Sequence, residues 1–526
     1  MNEALPATVF ELDNFSVMLD GRLLLADLTL NAKTGEILTV LGRHGSGRET
    51  LRDVLAKMLP REAEISGTLT RGERINGKLP RFAYLANASL TALAPHARAE
   101  GQLARVLARA EHLTNAEAET DLRVALERLP GAPSPERLQL RPNALSPRER
   151  VFSFLALALA QRHDAVLADD VTTGLDPTEA DEFLNLLLQE HSRQGFALIY
   201  FTGDPHVPAR LGGRVAVLRE GRLVEEGPAE RLASPRAHAY TQSLFRAVPR
   251  LGRAGEAARV SPRSEPLLQV RSLVFDRPDK RIVAAPEGIT FDLRRGASLA
   301  LIGKRGSGRR SIVRAVLGLS RRWQGRIIFD AVDMGILSPE MRARLRQRVA
   351  FITGDDGVLD PRMTVYETVI EPMRAHIHMG KAENLLTAEA MLKRVGLGDM
   401  PRKRRIAALS ILDRRRVQIA RALAGGPHLV VLYEPLIGLD APGQALVLDL
   451  LKDFRQREGA AFMVVTANFA VAEALAEDAL VIREREIIER GSVAEILRAP
   501  KEPHTAALIA AVSPAEQTLP PDTPQG

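Results

Sequence analysis

Strand-length apolar runs alternate along this chain with longer amphipathic segments. Ile37–Leu41, Asp164–Ala168 and Ala197–Phe201 are such runs in the first half. Ser298–Ile302, His428–Leu432 and Phe462–Thr466 are their counterparts in the second. Continuous apolar runs between helical segments indicate parallel strands covered on both faces. The pattern predicts an α/β fold with parallel core sheets. Phe152–Ala160 is longer, stops at Gln161, Arg162, His163 and Asp164, and reads as a buried helix. No stretch approaches the ~18 consecutive apolar residues of a membrane-spanning helix.

The same landmarks occur twice. GRHGSGR at 42–48 returns as GKRGSGR at 303–309, 261 residues later; Leu145-Ser146, Leu175-Asp176 and Gly227 return 264 residues later as Leu409-Ser410, Leu439-Asp440 and Gly491. The ends also correspond, SPRAHAYTQSLFRAV (234–248) with APKEPHTAALIAAV (499–512). Two homologous domains are therefore expected, at 1–251 and 266–513. Residues 252–265 (GRAGEAARVSPRSE begins at 252) form a linker rich in small and charged residues, and the proline-rich 514–526 forms a disordered tail.

Composition narrows the chemistry. The 526 residues are 45% hydrophobic and 26% charged, which suits large soluble cores and rules out wholesale disorder. Cysteine is absent, so disulfides, thiolate metal sites and thiol catalysis are excluded. The net charge of +7 is mild for this length, and aromatics are only 4%, which makes nucleic acid an unlikely partner. The N-terminus has neither the basic nor the apolar region of a signal peptide, so a cytoplasmic protein is expected.

Strand, glycine-rich turn, then helix is an arrangement that cradles phosphate: glycines allow close approach, and the helix N-terminus offers free N–H groups. The first loop carries Gly42, Gly45, Ser46, Gly47, Arg48 and Thr50; the second carries Gly303, Gly306, Ser307, Gly308, Arg309, Arg310 and Ser311. In the full P-loop pattern a lysine precedes a hydroxyl residue. Here arginine replaces the lysine twice, and Glu49 or Arg310 replaces the hydroxyl.

On these loops, both halves resemble the nucleotide-binding domains of ATP-binding cassette (ABC) transporters. The oligopeptide, dipeptide and nickel importer subfamily is the nearest in pattern. LDPRMTVYETVIEPM (359–373) and LTALAPHARAEGQL (90–103) are similar to the segment after its Q-loop; AYTQSLFRAVP (239–249), PHTAALIAAVSP (503–514) and GRLVEEG (221–227) are similar to its C-terminal extension and the strand before it. The resemblance implies two tandem P-loop ATPase domains that bind ATP between the P-loop of one and the signature loop of the other. It also implies integral permease subunits and a solute-binding protein as partners, at the inner face of the cell membrane.

By that resemblance Ser146 and Ser410 are signature serines facing phosphate, each followed by an acid, Glu149 or Asp413, in place of the family's glutamine. Asp169 is the Walker B aspartate, replaced by Tyr433 in the second half, so Mg²⁺ is expected at the first site only. Asp170 and Glu434 take the place of the catalytic glutamate. Asn87 and Thr353 align with the Q-loop glutamine, Gly203 and Ala467 with the switch histidine, and Phe275 with the adenine-stacking aromatic. With so many catalytic parts changed, the implied function is the energy-coupling subunit of a peptide- or nickel-type transporter with weak or absent hydrolysis. The alternative is a pseudo-ATPase serving as a nucleotide sensor or scaffold. The basic runs Arg402–Arg405 and Arg414–Arg416, and His96, His376 and His378, read as solvated surface.

Overall fold

The computed structural model describes residues 7–72, 79–85, 93–161, 163–249, 251–252, 265–275, 288–320, 323–338, 340–341, 345, 347–354, 358–376 and 380–512. Asn87, His378, nearly all of the expected linker and the expected tail lie outside the described residues. The chain divides into two compact units that change over between Val248 and Pro249.

In the first unit the strands are β1 (Thr8–Leu19), β2 (Arg22–Lys33), β3 (Ile37–Leu41), β4 (Glu64–Thr70), β5 (Phe82–Leu85), β6 (Ala165–Asp169), β7 (Ala197–Thr202), β8 (Arg214–Arg219) and β9 (Arg222–Pro228). An antiparallel sheet of order β2-β1-β4 stands beside a six-stranded sheet of order β5-β6-β7-β3-β8-β9. The first five strands of the larger sheet are parallel, and β9 closes its edge antiparallel.

The second unit repeats the design with β10 (Pro266–Phe275), β11 (Ile289–Arg294), β12 (Ser298–Ile302), β13 (Trp323–Phe329), β14 (Val332–Asp333), β15 (Val349–Thr353), β16 (Leu429–Tyr433), β17 (Ala461–Thr466), β18 (Asp478–Arg483) and β19 (Glu486–Ser492). Its sheets run β11-β10-β13-β14 and β15-β16-β17-β12-β18-β19. All six apolar runs picked out by pattern are core strands, two of them displaced by one residue because the strand extends to Asp169 or Tyr433.

The reason for doubly apolar strands is visible in the packing. Successive side chains point to opposite faces. Val166, Ala168, Leu198 and Tyr200 enter the core shared with the helices Ala99–Glu111, Asn115–Glu127 and Pro147–Ala160. Leu167, Ile199 and Phe201 enter the core beneath β1 and β2. In the second unit Val430, Leu432 and Val464 face one core, and Val431, Met463 and Val465 the other. The helix Pro147–Ala160 is buried at every position from Arg150 to Ala158, as its unbroken apolar run requires. Leu244 and Phe245 of the helix Ala239–Arg246 seal the edge over Val215 and Val217.

Candidate functional site

Each glycine loop is the link between a central strand and a helix. β3 ends at Leu41 and the helix Arg48–Ala56 begins after Gly47; β12 ends at Ile302 and the helix Arg309–Val316 begins after Gly308. Gly47 and Gly308 are left-handed, at φ 100° and 107°, and neither helix start has a side-chain cap. The turns are tight: a Cβ on Gly42 would lie 2.2 Å from Ser46 Oγ, and one on Gly303 2.2 Å from the Ile482 carbonyl oxygen. Ser46 and Ser307 are buried inside these turns, and their hydroxyls have no protein partner. A buried unsatisfied hydroxyl costs about 1–3 kcal/mol, which a phosphate oxygen would relieve. On that observation both loops fit a polyphosphate. Thr50 and Ser311 stand in the first helical turns, half-buried, and Arg310 is exposed beside Ser311.

The two arginines expected on phosphate are turned elsewhere. Arg48, 7% exposed, sets Nη2 2.7 Å from Asp170 Oδ2, and Arg309, 4% exposed, sets Nη1 3.0 Å from Glu434 Oε1. The cause is that an arginine buried at a helix start needs a counter-ion, and the residue just past β6 or β16 supplies it. Burial disfavours the Arg48 cation, but Asp170 and Glu49 outweigh it and raise its pKa.

The acids are held further by groups at the switch positions. The Gly203 N–H donates to Asp170 at 3.3 Å; the Ala467 N–H and the Thr466 hydroxyl donate to Glu434, each at 3.0 Å. Both acids are left-handed, at φ 43° and 45°.

Asp169, expected to hold Mg²⁺, is engaged by protein groups in this structure: Arg52 Nη1 lies 2.5 Å from its Oδ2 and the Tyr84 hydroxyl donates to the same oxygen at 3.1 Å. Burial raises the Asp169 pKa and the charge of Asp170 adds to it, against the pull of Arg52. Among the described residues no three His, Asp or Glu side chains gather into an all-protein metal cage. Glu49, where the hydroxyl ligand was expected, is taken by His44 Nδ1 at 3.0 Å and Arg48 Nε at 3.3 Å. Both acids at this loop are thus paired with cations, and Mg²⁺, which takes one or two carboxylates together with phosphate oxygens, would have to compete with those pairs.

The second unit resolves the same positions without charge. Arg52 corresponds to Val313, Asp169 to Tyr433, and by strand register Tyr84 to Phe351. Val313 is 2% exposed, and Tyr433 and Phe351 pack against its cluster. Phe275 and Trp323, paired across β10 and β13, pack there too, and Thr353 is buried at the end of β15.

Glu149 and Asp413 both face their own helix starts. Ser146 Oγ accepts the Glu149 N–H at 3.2 Å while Glu149 accepts the Ser146 N–H at 2.7 Å, a reciprocal capping box, and Arg137 clasps the same carboxylate at 2.7 and 2.9 Å. Ser410 Oγ accepts the Asp413 N–H at 3.0 Å and donates to its carboxylate at 2.9 Å. Free N–H groups at a helix start explain both. Arg137 lowers the Glu149 pKa, with burial opposing.

Paired glycine loops, acids beyond the neighbouring strand and capped serine helices in a twice-repeated fold define an ATP-binding cassette. The chain belongs to the ABC transporter family: that family's model matches residues 25–173 and 286–437, and the model for the oligopeptide/dipeptide transporter C-terminal region matches 224–271. It is 32% identical to the peptidoglycan transport ATP-binding protein YejF of Agrobacterium fabrum, over 91% of this chain and 90% of that one. It is 30% identical to the glutathione import ATP-binding protein GsiA of Salmonella typhi, over 93% and 86%. The solved structure of cbiO1 from Clostridium perfringens is similar over 44% of this chain and 91% of that chain, at 23% identity and a TM-score of 0.40.

Proposed function

We propose that this chain is the ATP-binding subunit of an importer for small peptides, including glutathione-like ones, and that it binds nucleotide with little turnover. Relatives named for peptidoglycan and glutathione transport support the substrate class, and the matched C-terminal region supports the importer type. Integral permease subunits and a solute-binding protein are then its partners, and the chain sits peripherally on the inner face of the membrane. No helix among the described residues is long and apolar enough to cross one. Above the helix Val365–His376, a groove of about 560 Å³ lined by Asp360, Arg362, Met363, Glu367, Glu371 and Arg374 lies in the segment likened to the one after the family's Q-loop, and we assign it to a permease.

The observation that carries weak turnover is the Arg309–Glu434 pair, repeated as Arg48–Asp170. An acid that neutralises a buried guanidinium is a poor base for water, and a misplaced water can cost ~10²-fold. The same pair also favours the second reading, a nucleotide-sensing scaffold, in which binding alone is the function. The second loop, with Arg310 exposed at its helix start, takes the nucleotide without Mg²⁺.

Affinity purification from native membranes tests the partners, and recovery of no permease subunit would overturn the transport reading. ATPase and nucleotide-binding assays on the purified chain test the rest. Binding that survives EDTA and is lost in R309A/R310A is expected; turnover typical of a working transporter would refute it.

A further inference from the structure

The helix Arg48–Ala56 carries two ionic contacts on successive turns that its counterpart lacks. Near its start Glu49 lies between His44 Nδ1 and Arg48 Nε, at 3.0 and 3.3 Å. One turn on, Arg52 grips Asp169 at 2.5 Å, with Asp53 behind it at 2.8 Å. In the second unit Arg310 and Val313 occupy the places of Glu49 and Arg52.

We infer that the first loop is closed to nucleotide by its own chain: Glu49 sets an anion at the helix start, Arg52 caps Asp169 as a metal would, and the two keep nucleotide out although the Ser46 hydroxyl inside the turn lacks a protein partner. This rests on the reading that the glycine loops are nucleotide cradles. Charge argues the same way. A polyphosphate entering the first loop meets Glu49, Asp169 and Asp170, whose cations are already engaged with them. At the second loop Glu434 stands beside Arg309, and Arg310 adds a cation where Glu49 would repel. An asymmetric molecule with one nucleotide per chain follows.

Calorimetry with a slowly hydrolysed ATP analogue, paired with 8-azido-ATP crosslinking and peptide mapping, tests this. The native chain is expected to bind one nucleotide, label only in the second unit, and behave alike in EDTA and in Mg²⁺. E49S, which keeps the Arg52–Asp169 pair, is expected to gain a second site that needs no metal. E49S/R52V is expected to gain one that needs Mg²⁺, with thermal melts reporting that each variant is folded. Labelling of the first unit in the native chain would overturn the inference, as would folded variants of both kinds that remain at one site. A native chain that binds no nucleotide defeats the functional reading instead, and the gain of a site in E49S/R52V would still uphold closure of the first loop by its own chain.

Discussion

A buried guanidinium is tolerable only while its carboxylate is present, so the Arg309–Glu434 pair can be tested by breaking it. R309A strands Glu434 beside Thr466 and Ala467 with no cation and is expected to cost about 2–4 kcal/mol in urea unfolding of the second unit. R309M/E434L, which removes both charges at similar volume, is expected to recover most of that loss. Near the first loop, pH is the probe. Burial disfavours the Glu49 carboxylate, but His44 and Arg48 overcome it and lower its pKa from 4.5 to about 2. A depressed acid contributes stability that is complete above pH 4.5 and lost as pH falls toward 2, at most about 3 kcal/mol. His44, raised by Glu49 against burial, contributes below pH 6.5 and loses that contribution as pH climbs through its higher value. The contact is therefore strongest between about pH 4.5 and 6.5. E49Q should flatten the acid limb when urea midpoints are compared from pH 4.5 down toward pH 2.

At the scale of elements, the two units show two answers to one question: what to place where a strand end meets the helix after a glycine loop. R52V alone leaves Asp169 buried with only Tyr84. Adding Y84F and D169Y copies the apolar arrangement of Val313, Phe351 and Tyr433, and the triple variant is expected to melt well above the single one. The capping box at Ser146 offers a simpler test, since S146A should cost about 1 kcal/mol. Six of the twelve strands of the two larger sheets were legible in the sequence pattern, because burial on both faces leaves an unbroken apolar run. It could not reveal the ion pairs, because Arg52 and Asp169 stand 117 residues apart and Arg309 and Glu434 stand 125 apart. Serine with an acid three positions later at a helix start is a local capping signal, but the resemblance directs the serine to phosphate instead. Arg137, which holds Glu149 from outside that helix, had no such local sign.

For the whole molecule, the repeat preserves a frame and varies its contents. Both six-stranded sheets have the same order, with the glycine loop rising from the fourth strand. In both, an acid one residue past the second strand closes onto the helix that follows the loop. Those acids share a backbone feature with an evolutionary consequence. Residues 170 and 434 are left-handed at φ 43° and 45°, a conformation that costs most side chains about 1–2 kcal/mol and costs glycine, asparagine and aspartate less. Substitution there is channelled by the backbone before chemistry has any say. A saturation library at either position should enrich Asp, Asn and Gly among folded variants and deplete Val, Ile and Thr, whatever the assay for function. Aspartate at 170 suits that channel: it eases the turn, keeps the counter-ion for Arg48, and leaves glycine as the next residue the fold would accept most readily.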